Sequence, residues 1–408
     1  MKNKLLFICT EFHMRVVSQH SLALILAASF ASTIGGLPFN SLPILLGSLA
    51  DTFNLTPQEI GLLGSVCFAG YLVGTLSSVL IINRFCWRKL TMTSAVSSCL
   101  LLLLSSVSDA NWQMPLWALI GFFAALMTCL GLRIIGQMMN KERALGVRQG
   151  IELGVTSIVL FALPAFIISQ FGYAGVAISL SIIILLLSIS VFWLPKDTHL
   201  VTEHTSIKSQ LDIPISAWLA LLVFLIFATG NIALWAFLER IGNSLQLEPA
   251  QLGLVFAVLK LLGGAAAFSV ALVGNKLGLR KPYIIVLTVL VIGLYLIWLS
   301  LSSLSNQFIL FAMGAWIWEV AFTWGCVFQT AAVARLDSKG SAIMLIPAAF
   351  GVSAMVGPAL GGWLASSDYY GVLALAFVTS LVAVICFMGP LAIRQRQMTS
   401  EVIASTTN

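Results

Sequence analysis

The chain has 408 residues, of which 59% are hydrophobic and only 9% are charged. A soluble globular protein carries about 25% charged residues, so this composition excludes an ordinary water-soluble domain. The net charge of +6 would suit a nucleic-acid-binding protein, but the positions of the basic residues along the chain favour a different explanation.

Twelve apolar segments follow one another along the chain. Each is long enough to cross a hydrocarbon layer of about 30 Å as a helix. The breaks between them carry Pro, Gly, Asn or charged residues, as helix ends should. The segments span roughly 20–50, 58–82, 90–108, 113–139, 145–170, 173–194, 214–239, 250–274, 283–303, 307–333, 342–365 and 371–392. The sequence therefore predicts an all-α membrane protein with twelve transmembrane helices.

The longest polar connection separates the first six segments from the last six. It runs from Pro195 to Ile213 and contains Lys, Asp, Glu and His residues. We therefore predict an N-terminal six-helix bundle over residues 1–195, a cytoplasmic linker over 196–213 and a C-terminal six-helix bundle over 214–408.

A short basic loop occurs twice, with the copies 192 positions apart. Residues 83–89 read NRFCWRK and residues 275–281 read NKLGLRK. Over the aligned stretches 55–89 and 247–281, ten of 35 positions are identical. A long-period repeat of this kind indicates that the second half is built like the first.

The basic residues also predict the orientation in the membrane. If the N-terminus is cytoplasmic, 18 of the 21 Lys and Arg residues fall in the inner segments. The outer loops hold Arg240, beside Glu239, and otherwise carry acidic residues such as Asp51 and Asp109. The positive-inside rule then places both termini in the cytoplasm, and it explains the positive net charge without nucleic acid.

Twelve helices in two similar halves resemble the major facilitator superfamily, and the repeated loop carries the resemblance further. Arg84, Arg88 and Lys89 match the basic positions of the family's loop between helices 2 and 3, and Asn83 replaces its Asp. Residues 357–362, Gly-Pro-Ala-Leu-Gly-Gly, resemble a signature that family antiporters show in helix 5, although in this chain it lies in segment 11. The resemblance implies a secondary transporter whose helices 1, 4, 7 and 10 line a central cavity.

The two loops are candidate gates. Basic side chains at the inner face can pair with carboxylates, or with carbonyls at helix C-termini, and so hold one half of the molecule against the other. The alternative is that they only obey the positive-inside rule. The candidate gating residues are Arg84, Arg88, Lys89, Lys276, Arg280 and Lys281.

Charged residues inside the apolar segments are the strongest functional candidates. An ionised group at the bilayer centre costs about 3 kcal/mol or more, so such groups usually face the bundle interior or a wet cavity. Lys260 and Glu319 lie at similar depth in the second half, where we expect them to form an ion pair. The functional interpretation is that Lys260 holds an anionic substrate or that Glu319 carries a proton; the alternative is that the pair is only structural.

Arg133 lies about two turns before Lys141, inside segment 4. Gln137 is one turn further along the same face. Arginine suits the capture of a carboxylate or phosphate, which favours substrate contact. An equally weighted alternative is a structural ion pair with Glu152, which is also the second candidate for carrying a proton.

The softer candidates for substrate binding are polar and aromatic residues in the apolar segments. Asn40 lies between Pro38 and Pro43, and proline frees backbone groups in a membrane helix that a substrate or water can satisfy. The other candidates are Asn231, Trp235 and Trp316.

No motif in the sequence is typical of an enzyme. There is no phosphate-binding glycine loop and no metal-ligand cluster, and the seven cysteines form no CxxC pair. We expect no catalytic residue, cofactor or metal.

The sequence therefore predicts a monomeric, multi-pass secondary transporter of a bacterial inner membrane. Its substrate is a small organic solute, an anion or zwitterion, carried by alternating access with proton coupling. Two alternatives stay open: efflux of multiple drugs or amphiphiles by antiport, and a non-transporting membrane receptor of the same fold.

Overall fold

A computed structural model of the chain describes residues 21–136, 138, 141–194, 213–273, 280–303, 305–337, 342–366 and 368–389. These residues form helices and short connections, with no strand among them. The α-helices are α1 Ser21–Asn40, α2 Leu42–Phe53, α3 Pro57–Arg84, α4 Trp87–Val107, α5 Ala110–Gly136, α6 Lys141–Ala162, α7 Ser169–Ser188, α8 Ile215–Ser244, α9 Pro249–Val273, α10 Lys281–Ser302, α11 Gln307–Leu336, α12 Ile346–Leu364 and α13 Tyr370–Met388. A π-helical segment, Leu163–Ile168, joins α6 to α7, and short 3₁₀ turns lie at Ile189–Trp193 and Ile343–Leu345.

The described helices cross a membrane twelve times. Eleven stretches are long and apolar enough for a span, and one of these, Ala144–Trp193, has 50 residues. A straight helix of that length would be about 75 Å long, more than twice the hydrocarbon thickness. The stretch turns back at Gly172, where φ is +55°, so that the side chain of Ile167 lies against Gly175. It therefore makes two spans, and the predicted twelve-helix fold is confirmed.

The first span is broken in the middle. The sequence predicts one continuous segment over 20–50, but α1 ends at Asn40 and α2 begins at Leu42. Pro43 lies in the first turn of α2, where the missing N–H group of proline is tolerated. The break places Phe39 and Asn40 at a point where the backbone is not continuously helical.

We call residues 21–194 the N-half and residues 213–389 the C-half. The end of the bundle that holds residues 84–87, 136, 138, 141, 194, 213, 336–337 and 342–346 is the linker-side end, and the opposite end is the far end. The predicted linker lies almost wholly outside the described residues. Its boundaries and the cytoplasmic position of the linker-side end stay predictions.

The two halves pack closely at the far end, between α3 and α12. A Cβ atom on Gly61 would lie 3.0 Å from the Cα of Gly362, so the two backbones nearly touch. One turn deeper, the backbone N–H of Ala359 donates to Ser65 Oγ at 2.9 Å. The Gly-Pro-Ala-Leu-Gly-Gly run of α12 thus serves close packing between the halves.

Candidate functional site

A cavity of about 490 Å³ lies between the two halves. This is within the 300–1,000 Å³ typical of sites for small molecules. It reaches from the break at Phe39 and Asn40 to Thr330 and the exposed Pro347 near the linker-side end. The first, fourth, seventh and tenth spans (α1, α5, α8 and α11) all contribute residues, as the family resemblance implied.

The N-half contributes the charged groups of the cavity. Arg148 Nη2 and Glu152 Oε2 form an ion pair at 2.5 Å, and both side chains are nearly buried. Asn40 Nδ2 donates to Glu152 Oε1 at 3.0 Å, and Arg148 Nε donates to Ser32 Oγ at 2.7 Å. We call Asn40, Arg148 and Glu152 the polar wall. It combines one cation, one anion and one amide within a single small site.

Local sequence explains how the polar wall forms. Arg148 and Glu152 are four residues apart on α6, so their side chains lie on the same face of the helix. α1 approaches this face at Gly36, where a Cβ atom would lie 2.8 Å from Glu152 Oε1. A larger residue at position 36 would therefore displace either the carboxylate or the first span.

The opposite wall of the cavity is apolar. The C-half presents Phe224, Val327, Ile346, Phe350 and Ala354 to it. The ring of Phe39 lies between the rings of Phe68 and Phe350, with both pairs of centroids 5.4 Å apart. The cavity therefore suits a solute with a polar or charged end and an apolar body.

Lys260 and Glu319 form a second charged cluster, within the C-half. Lys260 Nζ lies 3.6 Å from Glu319 Oε1, so the ion pair expected from their similar depth is present. Lys260 Nζ also lies 4.0 Å from the centroid of the Trp235 indole. A Cβ atom on Gly263 would lie 2.6 Å from Glu319 Oε1, so this glycine lets α9 approach the carboxylate.

This second cluster is close to the cavity but does not line it. Cys326, about two turns from Glu319 along α11, is a lining residue. Trp235 does not line the cavity, but its indole N–H donates to the carbonyl of Phe39, a lining residue, at 3.1 Å. That hydrogen bond joins the C-half to the N-half.

A third charged cluster closes the far end. Arg240 of α8 donates to both carboxylate oxygens of Asp51 in α2, at 2.6 and 3.0 Å. It also pairs with its neighbour Glu239 at 2.6 Å. The basic residue that the sequence assigns to the outer loops is thus an ionic link between the halves. The cavity is closed at the far end and reaches the linker-side end.

The remaining predicted substrate residues lie away from the cavity lining. Asn231 is fully buried and forms hydrogen bonds with Phe227, Ser380 and Trp318. The indole N–H of Trp316 donates to the Val255 carbonyl inside the C-half.

Arg133 is partly exposed and has no ion pair or hydrogen bond with a described residue. The alternative pairing for Arg133, with Glu152, is made by Arg148 instead. Gln137 lies outside the described residues.

Among the candidate gating residues, Arg88 has clear partners. Its guanidinium donates to the carbonyls of Leu194 and Phe192 at the end of the sixth span, at 2.5–3.1 Å. These are carbonyls at a helix C-terminus, as expected, but they belong to the same half. Arg84, Lys89, Arg280 and Lys281 are exposed or half-exposed at the linker-side end, and Lys276 lies outside the described residues. A gating role stays a prediction.

The sequence interpretation missed several residues of the site, above all Arg148. Arg148 lies near the start of segment 5 and is one of the 18 Lys and Arg residues assigned to the inner segments. The available signal was its spacing of four from Glu152 inside an apolar segment. Tyr71, Thr128 and Phe350 also line the cavity, and nothing in their local sequence distinguishes them from packing residues.

The cavity offers a solute three kinds of interaction, namely ion pairs and hydrogen bonds at the polar wall and apolar contacts opposite it. The described residues contain no group of three or more His, Cys, Asp or Glu side chains placed to hold a metal ion. Recognition by the lining side chains therefore depends on charge, hydrogen bonding and shape.

The comparison with known families decides the class of protein. The family model described as Major Facilitator Superfamily matches residues 24–222 and 219–404. The chain belongs to the major facilitator superfamily. This member of the superfamily is therefore a multi-pass membrane transporter rather than an enzyme.

Solved structures of superfamily transporters share the fold at low sequence identity. A D-xylose-proton symporter has a TM-score of 0.67 at 14% identity, with 91% of this chain and 98% of that chain covered. The nucleoside transporter NupG has a TM-score of 0.68 at 12% identity, with 92% and 98% covered. A bacterial homolog of the human lysosomal transporter Spinster, inward-facing and unoccupied, has a TM-score of 0.62 at 12% identity, with 94% and 97% covered. A search of curated proteins gives no match.

Proposed function

We propose that this transporter moves a small zwitterionic organic solute with an apolar body, coupled to protons, by alternating access. The observation that carries the proposal is the polar wall, in which an arginine and a carboxylate face the same cavity. We also propose that it lies in a bacterial inner membrane, with the linker-side end in the cytoplasm. It would act as a monomer.

Charge balance favours a zwitterion over an anion. When a zwitterion enters, its carboxylate can bind Arg148 while its ammonium group binds Glu152, so no nearly buried charge is left without a partner. A simple anion would bind Arg148 but would displace Glu152 and leave that carboxylate unpaired. Leaving a buried charge unpaired costs several kcal/mol, which selects against such a solute.

The apolar wall selects the body of the solute. Phe39, Phe224 and Phe350 offer aromatic surface within the same cavity. Burying apolar area contributes about 25 cal/mol per Å², so an aromatic or branched group adds affinity at this wall. Asn40 orients the solute by hydrogen bonding to its polar end. Arg133 remains a proposed contact for solute near the linker-side end.

Glu319 is the proposed proton carrier, with Glu152 as the second choice. Protonation of Glu319 would remove the charge that faces Lys260, so binding of the proton and breaking of the ion pair are linked. Glu319 lies about two turns along α11 from Cys326, which lines the cavity, and this supports a proton site next to the solute site. With Glu319 as the carrier, the solute and the proton would bind in adjoining places without sharing a residue.

Efflux of amphiphilic cations is the second candidate function, and the apolar wall is the observation that favours it. In that case Glu152 and the aromatic rings would hold the cation. Arg148 would then oppose binding, and this distinguishes the two functions.

A panel of three probes with the same benzyl group tests the substrate class. Phenylalanine is a zwitterion, 3-phenylpropionate an anion and phenethylamine a cation, and each is added to the purified transporter in a thermal-shift measurement. A ligand at 100 times its Kd stabilises the folded state by about 2.7 kcal/mol. We expect stabilisation by phenylalanine alone, and its loss in Arg148→Gln. Stabilisation by phenethylamine that survives Arg148→Gln would support the efflux function and contradict the zwitterion.

A further inference from the structure

The carbonyl of Phe39 lacks its usual partner within the helix. In a continuous α-helix it would accept from the backbone N–H four residues later, and that residue is Pro43, which has no N–H. A carbonyl left unpaired in a membrane interior costs several kcal/mol, so another donor is needed. Pro43, next to the break at Ser41, therefore leaves the Phe39 carbonyl available to a donor from outside the helix.

The donor comes from the other half of the molecule. Trp235 lies 196 positions away on α8, and its indole N–H reaches the Phe39 carbonyl at 3.1 Å. The indole is almost fully buried and makes an edge contact with Phe256, with ring centroids 5.9 Å apart. Packing thus holds the ring in the orientation that directs its N–H across the interface.

The charged ammonium group of Lys260 lies against the face of the same indole. Lys260 Nζ lies 4.0 Å from the ring centroid and 3.6 Å from Glu319 Oε1. A cation on the face of an indole attracts its electrons and makes the N–H a stronger donor, as in other polarised chains of hydrogen bonds. The charge state of the Lys260–Glu319 pair therefore affects the strength of the hydrogen bond from Trp235 to the Phe39 carbonyl.

We propose that Trp235 is a positioning residue that links the Lys260–Glu319 ion pair to the closure of the two halves around the cavity. The hydrogen bond from Trp235 to Phe39 stabilises the far-end-closed arrangement, and the charge on Lys260 strengthens that bond. Breaking it frees the first span, which also carries Asn40 of the polar wall. The proposal rests on the proposed alternating access, because only moving halves need such a link.

Trp235→Phe isolates the hydrogen bond. Phenylalanine keeps an aromatic face under Lys260 but has no N–H to donate. The matched control is Trp316→Phe, since the Trp316 N–H also donates to a backbone carbonyl, that of Val255, but entirely within the C-half. Nitroxide labels on unnatural amino acids at Asn111 and Ser305, exposed at the far end in the N-half and C-half, report the opening of that end by pulsed electron resonance.

The expected result is a higher population of long far-end distances in Trp235→Phe, with no change in Trp316→Phe. The ratio of open to closed molecules should increase about five-fold, as expected for one net hydrogen bond. The double variant Lys260→Met with Glu319→Gln, which removes both charges together, should shift the population in the same direction. Adding Trp235→Phe to that pair should then give less than the sum of the two separate effects.

Two outcomes would overturn the proposal: an unchanged distance distribution in Trp235→Phe, or a shift of equal size in Trp316→Phe. The measurement needs no substrate, so it fails or succeeds separately from the proposed function. If the wild-type protein binds phenylalanine but Trp235→Phe leaves the distances unchanged, the substrate proposal stands and the linking role of Trp235 is wrong.

Discussion

At the scale of single residues, Glu152 determines the charge balance of the cavity. It accepts hydrogen bonds from Arg148 on its own helix and from Asn40 on the first span. Its side chain is only 12% exposed, and that of Arg148 15%. Without the carboxylate charge, the nearly buried guanidinium of Arg148 would have no described anionic partner. Ser32 Oγ would then be its main described hydrogen-bond partner.

Glu152→Gln should therefore reduce both stability and binding. Glutamine keeps the size of the side chain and can still bond Asn40, so the change isolates the charge. Breaking a buried ion pair by removing one partner costs about 3 kcal/mol, and water in the cavity lowers this figure. We expect a lower melting temperature in detergent and loss of phenylalanine binding.

The double variant Arg148→Gln with Glu152→Gln is the control for this prediction. It removes both charges and leaves none unpaired, so it should regain most of the stability but none of the binding. A single variant as stable as the wild type would mean that Arg148 does not depend on Glu152.

Residue-level prediction from the sequence succeeded where two opposite charges lay deep in apolar segments. Lys260 and Glu319 could be paired because both lie near mid-membrane in the same half. Arg148 was not recognised in the same way, because the count of loop charges assigned it to an inner loop, although its spacing of four from Glu152 was a signal. The donor role of Trp235 depends on a neighbour 196 positions away, which no local pattern reveals.

At the scale of the helices, the break of the first span between α1 and α2 is the feature on which the interface depends. Pro43 removes one backbone donor, and the C-half replaces it through Trp235. The two proline residues on either side of the break are not equivalent. Pro38 removes the donor to Ile34, which is not the carbonyl that Trp235 binds.

Pro43→Ala should weaken the link between the halves. Alanine supplies the N–H that position 43 lacks, and this N–H would compete with Trp235 for the Phe39 carbonyl. We expect the far-end distances between labels at Asn111 and Ser305 to lengthen, as in Trp235→Phe. Pro38→Ala serves as the control, and an equal effect from both variants would contradict the specific role of Pro43.

Gly263 controls the approach of α9 to α11. A methyl group there would lie 2.6 Å from Glu319 Oε1, closer than real contacts allow. Gly263→Ala should therefore displace the carboxylate from Lys260 and lower the melting temperature. Gly154 in α6 is the matched control, because a Cβ atom there would meet nothing within 4 Å.

Gly154→Ala should be neutral or stabilise the protein by up to about 1 kcal/mol, since alanine favours helix. Thermal unfolding of the two variants gives the comparison. If Gly263→Ala were as stable as Gly154→Ala, the close contact would not be needed for the ion pair.

The helices themselves were largely predictable from apolar length. The reversal at Gly172 was predicted from the short break between segments 5 and 6, which contains Gly172. The break at Ser41 was not predicted, because residues 20–50 contain no Asp, Glu, Lys or Arg and a hydropathy pattern does not show a missing hydrogen bond. The prolines marked the place, but the partner that makes the break tolerable lies in the other half.

At the scale of the whole molecule, the described residues form a transporter that is closed at the far end. The link between Asp51 and Arg240 is the ionic part of this closure. The Asp51 side chain is 58% exposed, so solvent screens the interaction and its contribution is small, at most about 1 kcal/mol.

Asp51→Asn should shift the molecule modestly toward opening at the far end, by up to about five-fold. The same label pair measures the shift, and high salt should reduce the difference between variant and wild type. Asp109→Asn, another exposed acid at the far end of the N-half, should have no effect. A shift of the same size in Asp109→Asn would show that net charge, and not the link to Arg240, controls the opening.

Gradient-driven uptake of radiolabelled phenylalanine into proteoliposomes is the most direct test of proton-coupled transport, with wild type and Glu319→Gln compared with and without a pH gradient. We expect the wild type to accumulate the zwitterion only with the gradient, whereas Glu319→Gln still exchanges labelled for unlabelled solute but no longer accumulates it. Accumulation by the wild type that ignores the gradient, or full gradient-driven accumulation by Glu319→Gln, would contradict proton coupling through Glu319.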